Sequence, residues 1–220
     1  MSEKPINFSP EMAQAVYGGR KTQTRWIVKP QPKPGFELYH FDGYHAEFRH
    51  QDFRGANFWP YEVIKPRYQV GERLWGREPW GSVQADHPKC LNGRKPQQGD
   101  RIVFKANPAH DYQWSSAPRG SFCWRSSIHM PRWASRASLE VTRVRVEQVQ
   151  NISEEDARAE GIEGPFDVGY QAYRLPDDAK PRYSSAKAAF ADYWDSTYGP
   201  GAWARNDWVW VYEFKIQGKD

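Results

Sequence analysis

The sequence predicts an α+β fold: a small, mostly antiparallel β-barrel with helices at its rim and long loop insertions. Three observations lead to this prediction. Strand-like segments outnumber helical ones, and their spacing is too irregular for repeating βαβ units. The chain also closes on "DWVWVYEFKI", an apolar and aromatic segment typical of a strand buried on both faces. The length of 220 residues suits a single domain, 1–220.

A short helix opens the chain, and a basic segment follows it. In "NFSPEMAQAVYGG", Ser9 is a typical N-cap and Pro10 suits the first helical position. Gly18 or Gly19 then ends the helix. The residues "TQTRWIV" continue in an extended pattern, which predicts the first strand after the helix.

Three polar stretches rich in Pro and Gly are predicted to be insertions, at about 31–67, 84–120 and 163–183. The first is expected to carry one or two short hairpins. Between the first and second, "YQVGERLWGREPW" predicts a turn at Gly71 and a strand containing Trp75. A further strand, "RIVFKA", lies within the second stretch.

The second half of the chain predicts one long strand and two helices before the closing strand. In "SLEVTRVRVEQVQ" the apolar residues change parity near Thr142 and Arg143, which suggests a β-bulge. "NISEEDARAEGI" is predicted to be a helix that Ser153 caps and Gly161 ends. "SSAKAAFADYWDSTYG" predicts the third helix, with an apolar face that includes Phe190.

Composition permits nucleic-acid binding without requiring it. Aromatic residues make up 15% of the chain, with 11 Trp, which fits either an aromatic core or a site that stacks flat bases. The net charge of +4 is mild for a nucleic-acid-binding protein. Cys90 and Cys123 have no CxxC or Cys/His spacing, so neither a metal site nor a disulfide framework is expected, and a reducing cytoplasm is the expected compartment.

Several sequence signatures are missing from the chain. It has no signal-peptide pattern at its start and no apolar run long enough to span a bilayer, so no membrane association is expected. It also has no GK[ST] phosphate loop, GxGxxG, HExxH or GxSxG motif. These absences exclude nucleoside triphosphatases, dehydrogenases, zinc proteases and α/β-hydrolases of the usual kinds, and leave a binding or hydrolytic site without a metal or cofactor.

The segment "GGRKTQTRW" is the first candidate site. Lys21 and Thr24 follow the helix end and could converge with Arg20 or Arg25 around one pocket. One interpretation is a solvated basic turn. In the other, a lysine shielded from water acts as a base and an adjacent threonine as a nucleophile. The cations could also simply bind phosphate.

Glu160 is the second candidate, because it lies at the last turn of its predicted helix. Most such carboxylates are solvated surface groups. A carboxylate at this end opposes the helix dipole, and an unfavourable helix end tends to raise a carboxyl pKa, which suits a proton donor. The surface and proton-donor interpretations both stay open on the sequence alone.

Two aromatic and charged segments complete the candidates. Glu78 lies between Trp75 and Trp80 in "LWGREPW", where it could form a structural Arg–Glu pair or line a substrate pocket. The loop "FCWRSSIHMPRWASR" could close one end of a barrel or offer a stacking and phosphate-binding surface.

Four of these segments together carry a family resemblance. "GGRKTQTR", "YQVGERLWGRE", "SLEVTRVRVEQVQNISEEDARAEGI" and the final "WVWVYEFK" resemble ASCH-domain proteins of the PUA-like superfamily. The longer form, with "WRSSIHMPRWASR" and "WDSTYGPGAWARNDWVWVYEF", is similar to ASCH proteins of bacteriophages and prophages. The resemblance covers nearly the whole chain outside the insertions, and it implies a PUA-like barrel.

Within that family, small bacterial enzymes hydrolyse N4-acetylcytidine with a Lys, a Thr and a Glu. Matched to their "GxKTxT" stretch and the helix end, these fall on Lys21, Thr24 and Glu160. The resemblance implies Lys21 as proton acceptor, Thr24 as nucleophile and Glu160 as proton donor. Arg25 comes one place earlier than the corresponding arginine of the compact enzymes, with Trp26 behind it.

On this basis we expect a metal-independent amidohydrolase of an N4-acylated cytidine-type base, with no cofactor. Trp75 or Trp80 would stack the base, Glu78 would line the cleft, and Arg20 and Arg25 would meet sugar or phosphate. The expected ligand is a nucleoside or single-stranded nucleic acid, RNA rather than DNA. Because other relatives bind RNA or act as ribonucleases, a non-catalytic RNA-binding module and a ribonuclease are the alternatives.

Overall fold

The computed structural model describes residues 3–50, 61–84, 87–90, 96–106, 124–167, 171–176, 178 and 180–217. The chain divides into two compact units. The first comprises Met1–Gly19, Arg73–Leu139 and Ile216–Asp220, and the second comprises Arg20–Glu72 and Glu140–Lys215. The sequence predicts one domain, and that expectation stays a prediction.

The regular elements alternate between short strands and a few helices. In chain order they are β1 (Lys4–Asn7), α1 (Pro10–Tyr17), β2 (Gln23–Ile27), β3 (Phe36–Phe41), β4 (Ala46–His50), β5 (Tyr61–Ile64), β6 (Arg73–Arg77), β7 (Trp80–Gln84), β8 (His87–Cys90), β9 (Arg101–Phe104), β10 (Ser138–Gln148), α2 (Glu154–Ala159), β11 (Glu163–Asp167), β12 (Gln171–Arg174), α3 (Ala186–Tyr198), α4 (Ala202–Arg205) and β13 (Trp208–Gln217).

The first unit contains α1 and two groups of strands. The Ser9 hydroxyl accepts a bond from the Met12 N–H at 3.1 Å, so the predicted cap is confirmed. Strands β1 and β6 pair in parallel, and β7 lies between β8 and β9 with antiparallel pairing to both. A small buried cluster forms around Trp80, Phe104 and Met130.

The second unit is built on β10, β13 and β2, which are neighbours in that order. Antiparallel pairing sets Tyr212 opposite Thr24 and Trp210 opposite Trp26. Because side chains alternate along a strand, β13 sends its valines and its aromatic residues to opposite faces. The valine face packs into the main core of this unit, whose buried members are Val149, Ile152, Ala157, Ile162, Tyr173, Leu175, Ala186, Ala189, Phe190, Trp194, Ala202, Val209 and Val211.

The predicted insertions contain paired strands. Strands β3, β4 and β5 form an antiparallel sheet within 31–67, so the expected hairpin is confirmed. Strands β11 and β12 form a hairpin within 163–183. Strands β8 and β9 fall within 84–120, whereas 107–120 lies outside the described residues.

The helix ends follow the predicted caps. Ser153 accepts a bond from a backbone N–H of the first turn of α2 at 3.0 Å and caps it as expected, and Ser185 caps α3 in the same way at 3.0 Å. The four-residue α4 was not predicted, since "AWAR" has neither the length nor a capping side chain that would mark a helix. The buried residues of β10 change parity at Thr142 and Arg143 as expected, while the bulge itself stays a prediction.

The α+β class with mostly antiparallel strands is confirmed. The described strands form no closed barrel, so the barrel stays a prediction. Among the helices of the described residues, none is long and apolar enough to cross a membrane.

Candidate functional site

A buried ion pair joins the two predicted segments that carry Lys21 and Glu160. The Lys21 Nζ donates to Glu160 Oε2 at 2.7 Å and to the Glu160 backbone oxygen at 2.9 Å. The lysine side chain is 0% exposed and the glutamate side chain is 4% exposed. Positions 139 residues apart in the chain therefore meet at hydrogen-bond distance in the second unit.

Backbone hydrogen bonds fix this arrangement on both sides of Lys21. The Thr22 N–H donates to the Ala159 oxygen at 2.9 Å, and the Thr22 oxygen accepts from the Phe214 N–H at 2.8 Å. Glu160 is the C-cap of α2, and Gly161 follows with a φ of 107°. Only glycine adopts that φ readily, so the glycine allows the chain to leave the helix and keeps Glu160 at its end.

Arg25 holds the other oxygen of the same carboxylate. Its Nη1 donates to Glu160 Oε1 at 3.0 Å, and its Nη2 donates to Glu147 at 2.7 Å and to Asp156 at 2.8 Å. Its side chain is 0% exposed. These three carboxylates raise the pKa of Arg25, although burial, the largest single influence, acts in the opposite direction.

A second arginine extends this network toward the outside of the unit. Arg145 contacts Glu147 at 3.0 Å, Asp156 at 3.1 Å and Glu213 at 3.2 Å. Burial of Asp156 acts to raise its pKa, but the hydrogen bond from Arg145 and the charge of Arg25 outweigh it, so the pKa is lowered. The acids of this network bind arginines, and no group of three or more potential metal ligands occurs in the part of the chain that the structure describes.

This placement differs from the expected role of Arg25. We expected its guanidinium to meet a sugar or a phosphate. It is instead buried among three carboxylates and one aromatic ring, because its Cζ atom lies 5.8 Å from the centroid of the Phe190 ring. The structure therefore gives Arg25 a positioning role, because it fixes Glu160 from the side opposite Lys21.

Thr24 is buried, with 5% of its surface exposed. Gln23 and Arg25 both bond to α2 or its side chains, so strand alternation sends Thr24 to the other face of β2. That face also carries Trp26 and the cross-strand partner Tyr212. Among the described residues the Thr24 hydroxyl forms no hydrogen bond with Lys21 or Glu160, so the structure brings together two of the three predicted catalytic groups.

A pocket of about 370 Å³ opens on this face of β2, within the size range of small-molecule sites. Its described lining residues are Trp26, Ile27, Lys29, Lys65, Arg67, Tyr198, Trp210 and Tyr212. They comprise four aromatic rings and three cations, with no Asp or Glu. We call it the aromatic pocket.

Contacts among the rings hold one wall of the aromatic pocket in place. Trp26 packs against Tyr68 with ring centroids 5.3 Å apart, and Tyr68 packs edge-on against Tyr212 at 5.1 Å. The Tyr212 hydroxyl accepts from the Arg67 N–H at 3.0 Å. Burial raises the pKa of Tyr212 to about 12, even though the bonds from backbone N–H groups act to lower it.

Tyr198 connects the aromatic pocket electrostatically to Glu160. It is the last residue of α3 and packs against Trp194, with ring centroids 4.4 Å apart and the ring planes tilted by 46°. Burial raises its pKa, and the negative charge of Glu160 raises it further. The aromatic pocket and the Lys21–Glu160 pair thus belong to one neighbourhood of the second unit.

Arg20 lies at the exposed edge of the second unit. Its side chain is 45% exposed and forms an ion pair with Glu163, which also contacts Arg174 at 2.6 Å. Its predicted contact with sugar or phosphate stays a prediction.

The remaining predicted residues, Trp75, Glu78 and Trp80, belong to the first unit. Glu78 is 1% exposed and accepts bonds from Tyr17 and from Arg136, the latter through both carboxylate oxygens at 2.9 and 3.0 Å. This is the structural Arg–Glu pair that the sequence suggested. Its partner is distant in sequence, and Arg77, the neighbour of Glu78, lies over the Trp75 ring at 4.5 Å instead.

Trp75 and Trp80 are buried in the first unit, with 6% and 1% of their surfaces exposed. Within the described residues the Trp80 indole N–H has no hydrogen-bond partner. Their stacking of a base stays a prediction. In the loop that follows residue 123, Trp124 and Trp133 are partly exposed, at 37% and 36%.

The rings of the aromatic pocket were not among the predicted site residues. The signal was present in "WVWVY", where aromatic residues alternate with valines, and alternation predicts two unlike faces. Trp26 is the last residue of the candidate segment itself. Lys65 lies within the predicted insertion at 31–67, and Lys29 lies just before it. Cations in such predicted loops follow no periodic pattern that would place them on one face.

Comparison of the chain with protein-family models, with curated proteins and with solved structures gave no match.

Proposed function

We propose that this chain is an ASCH-type protein with a PUA-like fold that hydrolyses an N4-acylated cytidine-type base without a metal. One observation carries the proposal: Lys21 and Glu160, predicted as base and acid, meet at 2.7 Å in a buried environment. A buried, paired lysine and carboxylate are the kind of coupled groups that enzymes use for proton transfer.

The pair can supply both catalytic groups by moving one proton. Transfer from the Lys21 ammonium along the 2.7 Å bond to Glu160 Oε2 yields an amine and a carboxylic acid. Within the part of the chain that the structure describes, the Thr24 hydroxyl forms no hydrogen bond with Lys21, so the step requires this hydroxyl to come within reach of the amine. The amine then accepts its proton as the oxygen attacks the acyl carbon. The carboxylic acid gives its proton to the leaving N4 nitrogen, so cytidine departs and an acyl-threonine ester remains.

The same series of proton transfers then hydrolyses the acyl-threonine ester. After cytidine leaves, Lys21 again carries three protons and Glu160 is again a carboxylate, which is the arrangement in the structure. A second transfer regenerates the amine and the acid. The amine takes a proton from the attacking water and the acid protonates the departing Thr24 oxygen, which releases the carboxylate product and restores the enzyme.

The aromatic pocket would hold the base. Thr24 shares a strand face with Trp26 and is paired with Tyr212, and both of these rings line the pocket. Trp26 and Tyr198 are half-buried, so part of each ring is available for stacking. A flat base seated there would lie beside the nucleophile, so Trp26 or Tyr198 would take the stacking role that we expected of Trp75 or Trp80.

The test is the release of cytidine from N4-acetylcytidine by purified protein, with and without a chelator. We expect release that survives chelation. It should fall by at least about 10²-fold in Thr24→Val, which keeps the shape of the side chain and removes the hydroxyl, and should largely persist in Thr24→Ser. Lys21→Ala should be inactive as well, and Lys180→Ala, which changes an exposed lysine, is the matched control.

Two outcomes would overturn the reaction. One is a wild-type protein that releases no cytidine yet shifts single-stranded RNA in a gel, which identifies a binding module. The other is equal activity in Thr24→Val and wild type, which would mean that the Thr24 hydroxyl is not the nucleophile. Cleavage of the RNA strand itself, without deacylation, would identify a ribonuclease.

A further inference from the structure

Among its described lining residues, the aromatic pocket has three cations and no acidic residue. Lys29, Lys65 and Arg67 are exposed; Lys65 and Arg67 lie two residues apart, and Lys29 comes from a segment far from them in the chain. Across the described part of the protein, Lys29 and Lys65 form no ion pair or hydrogen bond. Elsewhere in the second unit, Arg25 and Arg145 are both paired with carboxylates.

The third cation, Arg67, lies over two aromatic rings. The Arg67 guanidinium carbon lies 5.2 Å from the Trp26 ring centroid and 5.4 Å from that of Tyr68. A guanidinium on an aromatic face keeps its positive charge. The pocket therefore combines stacking surfaces with positive charge at its rim.

This combination fits a ligand that has both a flat ring and phosphate groups. Aromatic rings stack bases of any sequence, and Lys and Arg neutralise the backbone charge of a single strand. A free nucleoside has no charge that would use these cations. For such an uncharged ligand, the positive charge at the rim would add little affinity to what stacking on the rings provides.

We propose that the aromatic pocket binds a phosphate-bearing single-stranded oligonucleotide, with the base between the rings and the flanking phosphates on Lys29, Lys65 and Arg67. The inference rests on the proposed function, because the position of the base is taken from it. It assigns the substrate class as a modified residue within a strand rather than a free nucleoside.

The test measures binding of short oligocytidylate, cytidine monophosphate and cytidine at several salt concentrations. Three phosphate contacts on a single strand predict a slope of log K against log salt near −2, at about 0.7 per contact. We expect oligocytidylate to bind more tightly than the monophosphate, and the monophosphate more tightly than cytidine.

The charge variants Lys29→Gln and Lys65→Gln should each reduce the slope by about 0.7 and weaken oligocytidylate about eightfold near 50 mM salt. Binding of uncharged cytidine should not change. The control is Lys180→Gln, which removes an exposed lysine outside the pocket and should leave the slope as in wild type.

The inference and the proposed reaction can fail separately. If cytidine is released from N4-acetylcytidine but Lys65→Gln binds oligocytidylate as Lys180→Gln does, the phosphate site is wrong and the reaction stands. If the slope changes as expected but no acyl group is ever released, the phosphate site stands and the reaction is wrong. Oligocytidylate that binds no more tightly than cytidine also overturns the inference.

Discussion

Removal of the Lys21 ammonium should destabilise the protein strongly. In Lys21→Met the Glu160 carboxylate, 4% exposed, loses the partner at 2.7 Å, and its backbone oxygen loses a second bond at 2.9 Å. Loss of one partner of a buried pair costs about 3 to 5 kcal/mol. Because Arg25 still holds the other carboxylate oxygen, we expect the lower part of that range, about 3 to 4 kcal/mol in the free energy of unfolding.

The assay is urea unfolding at neutral pH, with amide exchange at Thr22 as a local measure, since its N–H donates to Ala159 beside the pair. Exposed Lys29→Met is the matched control and should change the free energy of unfolding by less than about 0.5 kcal/mol. Glu160→Gln and the double variant complete a thermodynamic cycle.

Two results would refute this reasoning. A loss below about 1 kcal/mol in Lys21→Met would mean that the pair is solvated in solution. Additive effects of Lys21→Met and Glu160→Gln, within about 0.5 kcal/mol, would mean that the two groups do not interact.

Three further substitutions test other contacts. Arg136→Met leaves Glu78 buried without its bidentate partner and should cost about 3 kcal/mol in urea unfolding, and a loss as small as that of a surface variant would contradict the buried pair. Asp156 has a lowered pKa, because the bond from Arg145 helps to outweigh the opposing effect of burial. Its contribution to stability is therefore present above its unfolded pKa of about 4, and it is lost as the pH falls through the lower folded pKa. In Arg145→Met, the free energy of unfolding should fall less steeply as the pH is lowered through this range. An unchanged pH profile would mean that the bond from Arg145 does not lower the pKa of Asp156. Burial raises the pKa of Tyr212 to about 12, so its contribution is present below about 10 and lost as pH rises through about 12. Tyr212→Phe should remove that part of the alkaline loss, and phenolate absorbance identifies the group that titrates.

The helix boundaries could be predicted from the sequence because caps are local. Ser9, Ser153 and Ser185 each bond an N–H within their own first turn, and no distant residue is needed for that contact. The strands inside the insertions were harder to predict. Pairing of β11 with β12, and of β3 with β4, depends on partners that a window of polar residues with Gly and Pro does not reveal.

The ion pair of the candidate site could not be predicted from spacing. Lys21 and Glu160 are 139 residues apart, and nothing in either segment specifies the other. The family resemblance supplied both positions. It did not supply the surroundings: the partner of Glu78 proved to be Arg136, which lies in a loop 58 residues away, rather than an adjacent arginine.

The one-residue displacement of Arg25 explains how the candidate site differs from the one that the resemblance implies. Successive residues of a strand point to opposite faces, so a shift by one place moves a side chain to the other side of the sheet. In this chain Arg25 consequently faces α2 and holds Glu160, and the pocket face receives Trp26 in its place.

An arginine one place later would have pointed into the aromatic pocket. In the aromatic pocket, Lys29, Lys65 and Arg67 supply the positive charge that such an arginine would have carried. The Trp26 ring, which can stack, occupies the space that it would have filled. The displacement thus separates two tasks along β2. Arg25, which faces α2, positions the carboxylate, whereas Thr24 and Trp26 lie on the opposite face of β2, where Trp26 lines the pocket. Under the proposed function, the ligand would therefore be held by stacking and by charge at the rim instead of by one buried arginine.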